Sequence, residues 1–303
     1  MLKFAKPFLM FFGLLAFTPA HATLNIFACE PEWAALAQEL AGDKASIYTA
    51  TTALQDTHHI QARPSLIAKA RRAQLVVCTG AELEIGWLPV ILRESGNPAI
   101  TPGQPGYFEA SHQVSMLEIP ARLDRADGDV HAQGNPHIQL DARNYLPIAD
   151  ALAKRMATLD AANAAFYQQQ LQRFTTKWQT AIRRWELQAA PLRYVQIVVQ
   201  HRAYPYLENW LGLKKIAELE PKPGMEPSAA HLAEVLKTVQ SNPVSMVIRS
   251  AYQDGKPAQW MAEHAHVPAV VLPFSVGGDD EAKDLYSLFD DTIARLLAAL
   301  KKG

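Results

Sequence analysis

Residues 24–50 read LNIFACEPEWAALAQELAGDKASIYTA, and this stretch decides the fold. Leu24 to Ala28 is an apolar run of strand length. Glu32 to Leu40 places Trp33, Leu36 and Leu40 at helical spacing and stops near Gly42. Ser46 to Ala50 is a second short strand. Working outward, Ser65 caps a helix predicted through Ala73, and Gln74 to Val77 is the next strand. Strand, helix, strand, helix, strand implies a parallel sheet with helices on its faces. Residues 80–91 turn from loop into helix. The Gly- and Pro-rich residues 102–107 are loop, and Leu117-Glu118-Ile119 is a candidate strand. Residues 122–134, with Asp124, Asp127 and Asp129, read as an exposed loop.

From Asp141 the rhythm changes. Asn144 to Leu159 is predicted helical, with Ile148, Leu152 and Met156 on one stripe. Asp160 is a fresh N-cap, and Ala161 to Leu187 is again helical, with Phe166, Leu171, Phe174, Trp178 and Ile182 inward. A helix of that length runs roughly 40 Å. It reads as a rigid spine between two α/β halves or, alternatively, as a core helix of one large domain. A second alternation follows: strands at 194–199, 216–219, 244–248 and 267–272, with helices at 204–211, 228–239, 258–264 and 282–300. The expected fold is therefore α/β. Two lobes, each a mostly parallel sheet flanked by helices, are joined by a long rigid helix. The expected bounds are 1–22 for an export signal, 23–143 for the first lobe, 144–189 for the linking helix and 190–303 for the second lobe.

The first residues read as a signal peptide. Lys3 and Lys6 give a positive start, and Phe8 to Phe17 is an apolar run well short of the ~20 residues a membrane span needs. Ala20-His21-Ala22 supplies a cleavage pattern, so the mature chain is expected to begin at Thr23, in the periplasm. Cys29 lies too far from the apolar run to be a lipid attachment site. The chain has 303 residues, 49% of them hydrophobic, and a formal net charge of -1. That is enough chain for two cores, and the near-neutral balance argues against nucleic acid as a partner. The two cysteines, Cys29 and Cys78, each follow an apolar run. If those runs are neighbouring parallel strands, both thiols sit at one sheet edge. A disulfide and two buried free thiols both fit, and without a Cys-x-x-Cys spacing a metal site is a weaker reading.

Three histidines sit in separate, punctuated contexts that border strand-like segments. His58 lies in Asp56-Thr57-His58-His59, His137 in Asn135-Pro136-His137, and His201 ends the apolar run of 195–200. An α/β fold puts its binding loops at such places. Neutral imidazoles converging on one point make a zinc or other transition-metal site. His59 reads as facing away or assisting from behind. His112, His231, His264 and His266 read as surface residues. Glu84 reads as a helix-start carboxylate or as a partner orienting a histidine.

The order of these pieces resembles the periplasmic metal receptors of ABC uptake transporters, the solute-binding cluster with ZnuA-type zinc and related manganese members. The resemblance covers essentially the whole mature chain. It rests on Asp56-Thr57-His58 with Pro64-Ser65, on Gly80-Ala81-Glu82-Leu83-Glu84 with Trp87-Leu88, and on Asn135-Pro136-His137 before Asp141. His201 with Tyr204, Tyr206-Leu207 and Gly212-Leu213, then Leu219-Glu220-Pro221 ahead of Pro227-Ser228, complete the set. No one motif is specific; the ordered set is. The resemblance implies His58, His137 and His201 as metal ligands. The family's usual fourth ligand, a carboxylate after the last strand, falls here on Phe274 or Ser275. Asp279 or Asp280, behind Gly277-Gly278, is the expected substitute, with helix capping as the competing role. The long His-rich loop of many zinc members is missing, and His131 alone remains near it.

Three imidazoles and one carboxylate, two ligands from each lobe, would make a closed tetrahedral site suited to Zn2+. Mn2+ would call for more oxygen ligands. The expected function is a monomeric solute-binding protein that captures zinc in the interlobe cleft and delivers it to the permease of an ABC transporter. A zinc-dependent hydrolase with an open fourth position is one alternative, although no His-Glu-x-x-His or nucleophile elbow is present. A metal-dependent surface adhesin is another.

Overall fold

A computed structural model describes residues 23–124 and 128–302, and the expected signal segment lies outside them. The first lobe holds β1 (Leu24–Ala28), α1 (Pro31–Ala41), β2 (Ala45–Thr49), α2 (Pro64–Ala70), β3 (Leu75–Cys78), α3 (Leu88–Ser95) and β4 (Tyr107–Glu109). Its strands are all parallel, in the order β2-β1-β3-β4. The helices α4 (Tyr145–Leu159) and α5 (Ala164–Gln188) follow. The second lobe holds β5 (Gln196–Val199), α6 (Pro205–Leu211), β6 (Lys214–Glu218), α7 (Ala229–Ser241), β7 (Met246–Ser250), α8 (Lys256–Ala265), β8 (Ala269–Leu272) and α9 (Leu285–Leu300). Its parallel order, β6-β5-β7-β8, repeats that of the first lobe. β1, β3, β5 and β7 are the inner strands and are buried almost throughout, as strands covered on both faces must be.

Several local readings differ from the sequence expectation. The fourth strand of the first sheet is Tyr107–Glu109, which begins on the last residue of what reads as loop, and residues 117–119 form no strand. Glu118 has φ 53°, a left-handed conformation that cannot continue a ladder. The Leu117 N–H instead donates to the Tyr206 hydroxyl at 3.0 Å. α2 ends at Ala70 and has Pro64 at its first turn, with no side-chain cap from Ser65. The linking segment is the two helices read from the sequence and not one continuous spine. A short turn at Ala161–Asn163 separates them, and Asp160 there accepts hydrogen bonds from Tyr167 and Asn163.

α5 folds back along α4: the Trp178 indole N–H donates to the Ala142 carbonyl at 2.7 Å, and its ring lies 5.1 Å from that of Tyr145. α5 also packs on α1 of the first lobe and α9 of the second. Its face of Tyr167, Leu171, Phe174, Trp178, Ile182 and Trp185 is buried in a core shared by both lobes. A second contact ties the lobes directly. Ser275, after β8, donates a hydrogen bond to the buried Glu32 carboxylate at the start of α1.

The two cysteines are joined. Cys29 and Cys78 leave adjacent strands with their Cα atoms 4.8 Å apart, and form a disulfide. Both residues are fully buried.

Candidate metal centre

The carboxyl ends of both sheets face one cleft, and three histidines meet there. His58 hangs in the loop after β2, His201 follows β5, and His137 opens the turn that leads toward α4. One ring nitrogen from each lies within 4.8 Å of the other two. The ring centroids are 5.6 to 6.0 Å apart, so the rings surround a common point. All three residues are buried.

Local hydrogen bonds fix two of the rings. His58 sets its Nδ1 on Asp56 Oδ1 at 2.8 Å, and its backbone N–H donates to the same oxygen at 3.0 Å. Burial by itself would raise the Asp56 carboxyl; the hydrogen bonds and charge interaction with His58 outweigh it and hold the group at about 2. His201 sets its Nδ1 on Glu220 Oε2 at 2.7 Å, and Gly224 N–H donates to that same oxygen at 2.8 Å. A carboxylate only accepts, so in both rings Nδ1 carries the hydrogen and Nε2 carries the free lone pair. The Trp87 indole N–H, donating to the Thr57 carbonyl at 2.9 Å, anchors the His58 loop from behind.

His137 is held differently. Its backbone N–H donates to Asn135 Oδ1 at 3.1 Å, while Asn135 Nδ2 reaches the Arg202 carbonyl across the cleft at 2.8 Å. Its ring packs edge-on against Phe274, 5.5 Å between centroids. Its Nδ1 is buried without a hydrogen-bond partner among the described residues. Burial, followed by the neighbouring rings of His58, His201 and His131, pushes its pKa well below the ordinary histidine value. His131 is pushed down to about 4 by burial and then by His58 and His201. Both rings are therefore neutral at pH 7, the form that can bind a metal.

Asp279 and Asp280 do not join this group. Asp279 accepts the backbone N–H groups of Glu281 and Ala282 at 3.0 and 2.9 Å and pairs with Arg295 at 2.8 Å. Its carboxylate is committed to the turn before α9 and to a cation on that helix. Asp280 is exposed. The glycines do turn the loop, but they turn it toward α9. Neither expected carboxylate stands in the group, and neither caps the helix, since the N-cap of α9 is Asp284; the group has two histidines from the first lobe and one from the second. Among the described residues Glu84 has no hydrogen bond to a histidine. It is buried and accepts the backbone N–H groups of Thr79 and Gly80 at 2.8 and 3.1 Å. His59 is mostly exposed, with Nε2 3.7 Å from Asp129.

Two features went unread in the sequence. The role of Glu220 was carried only by its place after β6. The second is an acidic trio beside the site, formed by Glu30, Glu32 and Glu84, all buried. Burial, then the charges of Glu84 and Glu32, raises Glu30 well above the usual carboxyl range. Burial also lifts Glu32 and Glu84, each to about 7.

Comparison with known proteins follows the same lines. The chain matches the ZnuA family, zinc-uptake complex component A periplasmic, over residues 26–299. It is 21% identical over 307 residues to the manganese ABC transporter substrate-binding lipoprotein PsaA of Streptococcus pneumoniae, covering 97% of this chain and 96% of that protein. Its fold is similar to the crystal structure of ZnuA, with a TM-score of 0.76, 20% identity, and coverage of 92% of this chain and 99% of that one. It is similar also to the Mn-bound periplasmic metal binding protein from Candidatus Liberibacter asiaticus, with a TM-score of 0.74, 16% identity, and coverage of 92% and 100%.

Proposed function

Starting from a chain that belongs to this family of periplasmic metal receptors for ABC transporters, we propose that it captures zinc with His58, His137 and His201 and hands the ion to a membrane permease. Membership makes it a solute-binding protein and not an enzyme, which removes the hydrolase alternative. The observation that carries the zinc reading is the donor set: three imidazole nitrogens within 4.8 Å of one another, two of them backed by carboxylates. Imidazole suits zinc, whereas manganese favours carboxylate and carbonyl oxygen. The relatives named for manganese favour the second reading, of a manganese receptor. Against it, Asp56 Oδ1 and Glu220 Oε2 bond the Nδ1 side of the rings rather than joining the group of Nε2 donors.

In this cycle the protein's residues act as a preset cage. Asp56 and Glu220 hold two rings in the tautomer that offers Nε2 and raise their basicity. Burial keeps His137 neutral, so its ring need not shed a proton to bind. The export expectation completes the reading, with a mature chain beginning at Thr23.

The test is a competitive titration of zinc and manganese against a chelator of known affinity. His58→Ala, His137→Ala and His201→Ala should each weaken zinc binding strongly, and His112→Ala should not. Parent-like affinity in any of the three would remove that residue from the site. Tighter binding of manganese than of zinc by the parent would overturn the choice of metal.

A further inference from the structure

We propose that His131 is the fourth ligand of the ion, presented by a strap of chain that docks on both lobes. This deepens the zinc reading above and rests on it. His131 Nε2 lies 3.3 Å from His58 Nε2. A tetrahedral zinc site with Zn–N bonds of about 2.05 Å has nitrogen–nitrogen edges of about 3.3–3.4 Å. The two nitrogens therefore already stand one tetrahedral edge apart. The rings are 5.3 Å apart between centroids, closer than any pair within the three-histidine group. His131 stands outside that tight group, so its ring must turn to share an ion with all three.

His58 sets its Nδ1 on Asp56, which leaves Nε2 to face the ion. The His131 ring also hydrogen-bonds the Glu82 backbone, and a neutral ring that donates one N–H there presents a lone pair on its other nitrogen.

The strap, residues 128–134, is positioned for this by both lobes. Ala132 N–H donates to Glu82 Oε2 of the first lobe at 2.7 Å. Asp129 N–H donates to the Pro223 carbonyl of the second at 3.0 Å. That second junction admits no side chains. A Cβ on Gly128 would come 2.3 Å from the Pro223 carbonyl oxygen, and one on Gly224 would come 2.1 Å from Asp129 Oδ2. Both glycines also have positive φ, 82° and 78°. Gly224 is the residue whose N–H holds Glu220 behind His201. The strap and the His201 support thus share one junction. The residues after β8 supply no ligand in this arrangement: Asp279 is bound to Arg295, Asp280 is exposed and outside the group, and Phe274 offers an apolar ring.

X-ray absorption on the full mature chain with one equivalent of zinc counts the imidazoles directly, and cobalt substitution reports the geometry by its visible spectrum. The parent should show four imidazoles. His131→Ala and His131→Gln should show three, keep one-to-one binding, and lose zinc affinity by ~100-fold or more, above the range for removing a partner behind a ligand. Three imidazoles in the parent, or unchanged count and affinity in both variants, would overturn the proposal. His58→Ala separates the two readings. If it binds zinc like the parent, the whole site assignment falls; if it fails to bind while the His131 variants are unaffected, only the fourth ligand falls.

Discussion

Replacing Glu220 by Gln keeps the shape and an acceptor for His201 Nδ1 but removes a negative charge. The structure sets the size of the effect. Glu220 Oε2 is 2.7 Å from Nδ1. Adding the width of the ring and a Zn–N bond puts the carboxylate ~6–7 Å from the ion. At that distance a unit charge and a divalent ion interact by ~5 kcal/mol at an effective dielectric of about 20, and by ~1.3 kcal/mol in bulk water. Loss of a partner behind a ligand costs about 10- to 100-fold in affinity, or ~1.4–2.7 kcal/mol, between those limits. Solvent decides where each residue falls in that range. The Glu220 side chain is 12% exposed and that of Asp56 is 38% exposed. Glu220→Gln should therefore lose about 100-fold in zinc affinity and Asp56→Asn about 10-fold. The Asp56 effect should also shrink as salt is raised, and the Glu220 effect should hold. Chelator competition at fixed pH and two ionic strengths measures both. A greater loss for Asp56→Asn than for Glu220→Gln, or no loss for Glu220→Gln, would refute the account of the rear carboxylates.

Two further outcomes concern stability. Glu30 has a folded pKa raised above its unfolded value, so the folded state is favoured while the group is protonated, and stability is lost as pH rises from the ordinary carboxyl range through the raised value. Glu30→Gln should melt higher than the parent at pH 8, on the order of a few degrees, and show no such gain at pH 4; equal gains at both would separate the effect from protonation. Cys29→Ala with Cys78→Ala removes a link across a sequence separation of 49 residues and should cost about 4 kcal/mol in denaturant unfolding. A loss below ~1 kcal/mol would mean that the unlinked chain is already constrained.

The alternation of apolar strands and amphipathic helices made the two lobes legible, because strands buried on both faces leave runs that need no partner to be recognised. β4 was not legible. Three residues, Tyr107–Glu109, carry no periodicity, and they pair only because β3 is already in place. The run Leu117-Glu118-Ile119 has strand composition, but its backbone is set by Tyr206 and Asn135, far off in sequence. The three histidines were legible from their neighbours. The fate of Asp279 was not, since the cation that claims it, Arg295, lies most of the way along α9. His131 was visible only as a remnant, because its place depends on Glu82 and Pro223, which nothing local announces.

The two sheets share one strand order, so β1 corresponds to β5 and β3 to β7. In the second lobe the chain leaving β5 delivers His201, and Ser250 at the end of β7 bonds the Tyr204 hydroxyl at 2.8 Å. In the first lobe the corresponding ends carry Cys29 and Cys78. Their sulfurs and a Glu84 oxygen lie within 4.8 Å of one another. Joined in a disulfide, neither sulfur is an ionisable donor, and Glu84 is held by the Thr79 and Gly80 N–H groups. Oxidation turns the strand ends of the first lobe into a covalent tie between β1 and β3, where the second lobe uses the same ends to present a histidine.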